Sequence, residues 1–393
     1  MKRNIRDLVD LEGKKILLRA DFNVPLDSVG RIIDKTRIIA EIPTIDYLVK
    51  KGAKVIICSH LGRPKGYEIS LSLWPISLIL LQYFPGKVQF SQKTIGDRVK
   101  EQIDSLSNGS VLLLENTRFH DGETTNDKEF AKELASLADI YVNDAFGVSH
   151  RKHASTYGVS RLLPNAVGFL VENELKAIDE AMKNPQRPFV AVFGGGKVED
   201  KIKVLSNVLD KADTVLIGGA MAYPFLVAKW VSVGRSPAST ACVATATEIL
   251  KEAEAKGKKI ILPIDHVVVR YNDKKEKPII TEVIEEDMIG LDIGPKTISL
   301  FAKEIKEAKQ VIWNGPLGKY ENPKFRNGTF KIAEALANSE CYSVVGGGDS
   351  VSAVNKSGRA HLISHLSTGG GATMKLLEGE QLPCIEIIQE RII

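Results

Sequence analysis

The chain has 393 residues, of which 44% are hydrophobic and 26% charged, with a formal net charge of +4. That balance excludes a wholly disordered or fibrous chain, and so small a charge makes no case for nucleic acid or an anionic membrane, which need basic residues gathered on one surface. The length suits two domains of roughly 150 to 200 residues, each able to bury its own core.

The N-terminus, MKRNIRDLVDLEGKK, meets acidic residues before any apolar core of signal-peptide length. The most apolar stretch, LWPISLILLQYF from Leu73, is interrupted by Pro75 and falls short of the ~18 residues that a membrane span needs. Cys58, Cys242, Cys341 and Cys384 form no CxxC or Cys/His metal spacing and read as buried thiols of a reducing compartment, so a cytoplasmic location is expected.

In chain order, a short β-branched apolar run recurs, read as a buried parallel strand, and each run ends in Gly, Asp, Asn, His or Arg. The first half has ILLRADFN (16–23), VIICSHLGR (55–63), VLLLENTRF (111–119) and IYVNDAFG (140–147). A helical segment rich in charge, VENELKAIDEAMKNPQRP (171–188), follows with Leu175, Ile178 and Met182 on one side, and reads as a helix joining two domains. The second half has FVAVFGGGK ending at Lys197, TVLIGGA at Ala220, IILPIDH at His266, VIWNGP at Pro316, YSVVGGGD at Asp349 and ISHLSTGGG at Gly371. Helix-like segments separate them, as in EDKIKVLSNVLDKA from Glu199. Strand, turn and helix in repetition predict an α/β architecture with parallel sheets.

In open α/β sheets ligands bind beyond the carboxyl ends of the strands, where these unusual residues sit. For any one unit, a simple turn accounts for the Gly, Asn or Asp; the chemically distinct endings of the two halves argue for ligands. First-half endings are basic and hydrogen-bonding: Asp21, Asn23, His60, Arg63, Arg118, His150 and Arg151, with Arg37 soon after. Arginine forks bind carboxylate and phosphate in paired hydrogen bonds, so the cluster implies a ligand with more than one anionic group. His60, His150 and His153 have no carboxylate or cysteine at ligand spacing and read as hydrogen-bonding groups.

Second-half endings are glycine-rich: 194–196, 218–219, 346–348 and 369–371. Glycine lets backbone N–H groups approach phosphate oxygens, and a helix starting after the loop adds the positive end of its dipole. Lys197 and Lys201, four apart at a helix start, point the same way and could both touch a phosphate chain. Asp349 and Ser350 could cap the next helix or hold Mg²⁺, and spacing does not choose between them. No GxxxxGK[ST] loop and no GxGxxG occurs, which argues against a P-loop enzyme and a nicotinamide dehydrogenase.

Taken together, RADFNVP (19–25), SHLGRP (59–64), LENTRFH (114–120), NDAFGVSHRKH (143–153), FGGGKVEDK (193–201), IGGAMA (217–222), WNGPLGKYE (313–321), VGGGDS (345–350) and STGGGAT (367–373) resemble the phosphoglycerate kinase family, in family order along essentially the whole chain. The resemblance implies two doubly wound, Rossmann-like parallel-sheet domains facing each other across a hinged cleft. Residues 1–170 would bind phosphoglycerate, 171–188 form the interdomain helix, 189–381 bind nucleotide, and 382–393 pack back on the first domain. The implied reaction is reversible transfer between 1,3-bisphosphoglycerate and ADP, giving 3-phosphoglycerate and ATP, by a monomer with Mg²⁺.

Carried over residue by residue, Asp21, Phe22, Asn23, Arg37, His60, Leu61, Gly62, Arg63, Arg118 and Arg151 would hold the phosphoglycerate. Lys201, Asn314, Pro316, Glu321, Gly347, Gly348, Asp349 and Ser350 would hold the nucleotide, with Gly195, Gly219 and Ala220 near the base and Asp349 on the metal. Arg37, Lys197, Gly370 and Gly371 would neutralise charge on the phosphoryl in flight. The sequence departs from the family pattern at Ala20 (usually Val), Gly196 (usually Ala or Ser), Lys319–Tyr320 (commonly Val-Phe) and Lys375 (where Glu is expected). A non-catalytic scaffold of this fold would be expected to have lost its charged site residues, and all those that align are present.

Overall fold

A computed structural model describes residues 2–391 other than 197 and 273–276, with the backbone alone for 198–200, 202 and 203. The chain forms two compact units, residues 1–175 with 381–393, and residues 176–380.

In the first unit, β1 (Lys15–Arg19), β2 (Lys54–Cys58), β3 (Val88–Phe90), β4 (Val111–Leu113), β5 (Ile140–Asn143) and β6 (Asn165–Val167) form one six-stranded sheet in the order β3-β4-β2-β1-β5-β6. Every pairing in it is parallel. A parallel sheet is covered on both faces, which is why its strands are continuous apolar runs: Ile16, Leu17, Leu18, Val55, Ile56 and Ile57 are all fully buried. Chain direction across the sheet reverses at β1, with β2 on one side and β5 on the other. The crevice beyond β1 and β5 is therefore the place where such a sheet receives a ligand.

The C-terminal residues belong to this unit. The amide of Arg3 donates to Gln389 O at 2.7 Å, Gln389 N donates to Asn165 Oδ1 at 2.8 Å, and Leu382, Cys384, Ile385 and Ile388 are buried. The helix Phe169–Lys183 follows β6, and the division between the units falls within it.

In the second unit, β7 (Phe189–Phe193), β8 (Thr214–Ile217) and β9 (Lys259–Ile261) are followed by β10 (His266–Arg270), β11 (Ile279–Thr281) and β12 (Met288–Ile293), then by β13 (Gln310–Asn314), β14 (Tyr342–Gly346) and β15 (His365–Leu366). Six of these form a parallel sheet in the order β15-β14-β13-β7-β8-β9, whose switch point lies between β7 and β13. β11, β10 and β12 form a separate antiparallel sheet. This corrects the reading of IILPIDH as one unit: β9 stops at Ile261, ahead of Pro263, which cannot donate to a ladder, and His266 opens β10.

Candidate functional site

At the mouth of the β1/β5 crevice, hydrogen bonds join residues from three strand ends. Asp21, just beyond β1, is buried; its carboxylate accepts from Asn23 N at 3.2 Å and from Arg37 Nη1, which rises from the first turn of the helix Thr36–Lys50. Asn23 Oδ1 accepts Gly62 N, beyond β2, at 2.9 Å. Gly62 O accepts Arg118 Nη1, beyond β4, at 2.6 Å. Gly62 has φ +65°, a left-handed conformation that favours glycine, and a Cβ there would press on a terminal methyl of Leu71 at 2.9 Å.

Arg118 is buried, its amide donates to Asn116 Oδ1 at 3.0 Å, and its Nε has no hydrogen-bond partner. Arg151, beyond β5, donates from Nε to His150 Nε2 at 3.1 Å. Arg63 is exposed. Phe22 and Leu61 are buried packing residues whose amides are already bonded, to Ser59 Oγ at 2.9 Å and Asn116 Oδ1 at 3.3 Å.

The electrostatics show how closely these guanidiniums converge. Burial, and then Arg19, Arg118 and Arg37, push His60 well below the ordinary histidine range. Burial, then Arg118, Arg19 and Arg151, take His153 down to about 4. Burial, then Arg19 and Arg151, bring Arg118 itself down to about 10. The histidines are thus neutral hydrogen-bonding groups near neutral pH, and the arginines repel one another while remaining charged. Excess positive charge held in a partly dry crevice is an arrangement that a polyanion would relieve.

Sequence reasoning missed Arg19 as a site residue. It is 1% exposed, donates from Nε to Ser155 Oγ at 2.8 Å, lies with Nη2 at 3.1 Å from His60 Nδ1, and faces Glu123 at 4.0 Å. A charged residue closing an otherwise apolar strand was the available signal. Buried Glu41 and Asp144, also missed, lie just behind Asp21.

In the second unit the switch point carries the glycines. β7 and β13 pair with Phe193 opposite Asn314, so the loops that follow lie against each other. Gly194 N donates to Asn314 O at 3.0 Å, Gly195 N to Pro316 O at 2.7 Å, Met221 N to Gly195 O at 3.1 Å and Gly219 N to Leu317 O at 3.1 Å. A Cβ on Gly194 would sit 2.3 Å from Pro316 O, which leaves no room for a side chain. Lys201 Nζ donates to Gly194 O at 2.7 Å, while Lys197 lies outside the described residues. Ala220 and Gly219 open the turn after β8.

Asn314 is 1% exposed, and its Nδ2 has no hydrogen-bond partner. It lies beside Gly347, where a Cβ would come within 3.1 Å of that nitrogen. Gly347 caps the helix Gly348–Lys356 without a side-chain bond, and Ser350 Oγ accepts Gly315 N at 2.6 Å. Ser350 thus ties this helix start to the β13 loop. Asp349 is exposed and has no hydrogen bond or ion pair among the described residues, so the capping alternative fails. Burial and then, among the charges, Asp349 and Glu321 raise the Tyr320 hydroxyl, which groups Glu321 with Asp349 around that ring. The neighbouring strand β15 delivers Gly370 and Gly371 at the start of the helix Gly371–Leu377, beside the Gly347 loop. Lys375 forms ion pairs with Glu378 at 2.8 Å and Glu380 at 2.9 Å.

Among the described residues, this second cradle offers the N-terminus of the helix Gly348–Lys356, the orphaned Asn314 amide, the Lys201 ammonium and the exposed Asp349 carboxylate, with Glu321 near it. No cluster of three or more His, Cys, Asp or Glu able to hold a metal occurs among the described residues. That donor set fits Mg²⁺, which is commonly bound through one or two carboxylates together with substrate phosphates.

A model of the phosphoglycerate kinase family matches residues 5–380. The chain is similar to the phosphoglycerate kinase of Clostridium botulinum (strain Hall), with 46% identity over 396 residues, 99% of this chain and 99% of the relative. It is 45% identical to that of Clostridium tetani, covering 99% of this chain and 98% of the relative. Among solved structures, phosphoglycerate kinase from Coxiella burnetii superposes with a TM-score of 0.88 at 36% identity, covering 99% of both chains. That from Pyrococcus horikoshii OT3 gives 0.87 at 31% identity, covering 98% of both.

Proposed function

This chain belongs to the phosphoglycerate kinase family and carries its activity, reversible phosphoryl transfer between 1,3-bisphosphoglycerate and ADP to give 3-phosphoglycerate and ATP in glycolysis; from that premise we propose which residues perform it. Arg37, Arg63, Arg118 and Arg151, with Asp21, Asn23, His60 and Gly62, hold the phosphoglycerate. Lys201, Asn314, Pro316, Glu321 and the Gly347 to Ser350 loop hold the nucleotide, with Gly195, Gly219 and Ala220 at its base. Arg37, Lys197, Gly370 and Gly371 meet the phosphoryl in transit.

In the direction of ATP formation, a β-phosphate oxygen of ADP attacks the acyl phosphorus in line, the bond from phosphorus to the carboxyl oxygen breaks, and a carboxylate leaves. Nucleophile and leaving group are both anions, so no proton need move and no general base is required. That agrees with His60 and His153 being buried and neutral. What the protein must supply is alignment and positive charge around a loose transition state, with water kept from the acyl phosphate.

Asp349 would hold Mg²⁺, which when bound would neutralise phosphate charge. The four cysteines are buried and in no disulfide, which suits a cytoplasmic enzyme; a monomer is proposed from family resemblance. Among the described residues no helix is long and apolar enough to cross a membrane.

The observation that carries this reading is segregation: the guanidiniums converge in the first unit, whereas the glycine cradle with the orphaned Asn314 amide lies in the second. Calorimetry on the full chain tests it. Arg118→Ala should weaken 3-phosphoglycerate and spare Mg-nucleotide, and Asn314→Ala should do the reverse. A variant that weakens the other ligand instead contradicts the assignment.

A further inference from the structure

Glu41 and Asp144 are both fully buried and meet where the β1/β5 crevice closes. Glu41 stands four residues after Arg37 on the helix Thr36–Lys50, hence on the same face. Its Oε1 accepts the amide of Asp21 at 2.9 Å. Asp144 directly follows β5. Its amide donates to Arg19 O at 2.9 Å, and its Oδ1 accepts Val171 N at 3.0 Å in the first turn of the helix Phe169–Lys183. Thr44, on the same helix as Glu41, accepts Phe169 N at 2.9 Å through its hydroxyl oxygen. A Cβ on Gly168 would fall 2.2 Å from Asp144 Cγ, so this approach requires glycine.

These bonds leave Glu41 Oε2 and Asp144 Oδ2, which are buried and have no donor, on carboxyl groups that lie against each other. Two ionised carboxylates buried in that position would repel at high cost. The other carboxylate acting on Glu41 is Asp21, itself turned toward Arg37, and among the described residues no ion pair is formed by Glu41 or Asp144. One proton between the two oxygens would turn two orphaned acceptors into a single hydrogen bond.

We propose that Glu41 and Asp144 share one proton, and that Glu41 is thereby a positioning residue that fixes the Asp21 amide and, through the Asp21 carboxylate, the Arg37 guanidinium. The positioning role rests on the assignment of Asp21 and Arg37 given above; the shared proton does not. Burial first, and then the neighbouring carboxylate, raise Glu41 well above the ordinary range, while burial takes Asp144 up to about 6. A carboxyl raised in the folded state contributes stability that is complete below its unfolded pKa and is lost as pH rises through the folded value. Glutamine at 41 supplies the donor at every pH.

Two measurements test this. Without substrate, the melting temperature of Glu41→Gln should gain on that of the parent between pH 5 and pH 8.5, and Asp144→Asn, which donates from the other side, should do the same. Melting profiles parallel to the parent in both variants overturn the shared proton, whatever the substrate assignment. At neutral pH, Glu41→Ala should raise KM for 3-phosphoglycerate about tenfold, the loss expected for a buried hydrogen bond, with KM for nucleotide unchanged, and Glu41→Gln should return it to within about twofold of the parent. An unchanged KM in Glu41→Ala, or no rescue by glutamine, overturns the positioning role. If Glu41→Ala does not fold, the KM of Glu41→Gln across the same pH range decides: it should hold steady where the parent's rises, and a rise equal to the parent's overturns the role.

Discussion

Arg118 donates from Nη1 to Gly62 O at 2.6 Å while its buried Nε bonds to nothing, so the backbone beyond β2 aims a guanidinium whose hydrogen-bonding capacity is not used up. Arg19 and Arg151 repel it and burial desolvates it. Removing it should not weaken the ligand-free fold. Arg118→Ala is expected to keep or raise the melting temperature without ligand. The same change should raise KM for 3-phosphoglycerate about 10- to 100-fold, the range for one or two charge-assisted hydrogen bonds, with kcat within a few-fold. The melting shift induced by 3-phosphoglycerate should shrink accordingly, since that shift follows affinity. Thermal melts with and without ligand, beside steady-state kinetics, check this.

Asp349 separates a metal role from a helix-end role. Gly347 takes the cap position and Asp349 bonds to nothing described, so its structural contribution is limited to a charge at a helix N-terminus, about 0.3 to 1 kcal/mol. Asp349→Asn is therefore expected to lower the melting temperature only slightly while cutting Mg-nucleotide turnover severely. Excess Mg²⁺ should recover part of that loss. Titration of activity against Mg²⁺ in both proteins decides: equal metal dependence would remove Asp349 from the metal.

His266 gives a pH test away from the active residues. Burial takes it down to about 4. A histidine lowered in the fold binds its proton more readily once unfolded, so the stability it contributes is present above about 6.5 and is lost as pH falls toward 4. His266→Gln should remove up to about 1.4 kcal/mol per pH unit from that acid-side slope, about 3 kcal/mol over the window. Melting temperatures at pH 7 and 4.5 should fall less in the variant than in the parent.

Most of the site was legible because parallel strands, buried on both faces, are continuous apolar runs whose last residues point at the crevice. VIIC to His60, VLLL to Arg118 and FVAVF to the glycines follow that rule. What could not be seen depends on partners remote in sequence. Arg19 finds Ser155 and His60 only once the sheet is formed, and Glu41 finds Asp144 likewise. The antiparallel sheet was hidden because β11 exposes Ile279 and Ile280, so its pattern lacks a clean apolar face. Whether Asp349 caps its helix was undecidable from spacing, since Gly347 takes that position through its backbone.

Arg37 carries the central claim, that a guanidinium of the first unit stabilises the phosphoryl in flight. It is one-third exposed and held by Asp21, a placement equally open to mere substrate binding. A group that binds ground and transition states alike affects KM and leaves kcat nearly unchanged. One that meets the migrating phosphoryl lowers the barrier: a contact charge pair is worth ~4 kcal/mol at an effective dielectric near 20, and arginines in phosphoryl transfer contribute roughly 10³ to 10⁵ in rate. The direct measurement is kcat of Arg37→Ala at saturating 3-phosphoglycerate and Mg-ATP. A fall of about a thousandfold or more is predicted; recovery to near the parental kcat at saturation would contradict the account and leave Arg37 a binding residue only.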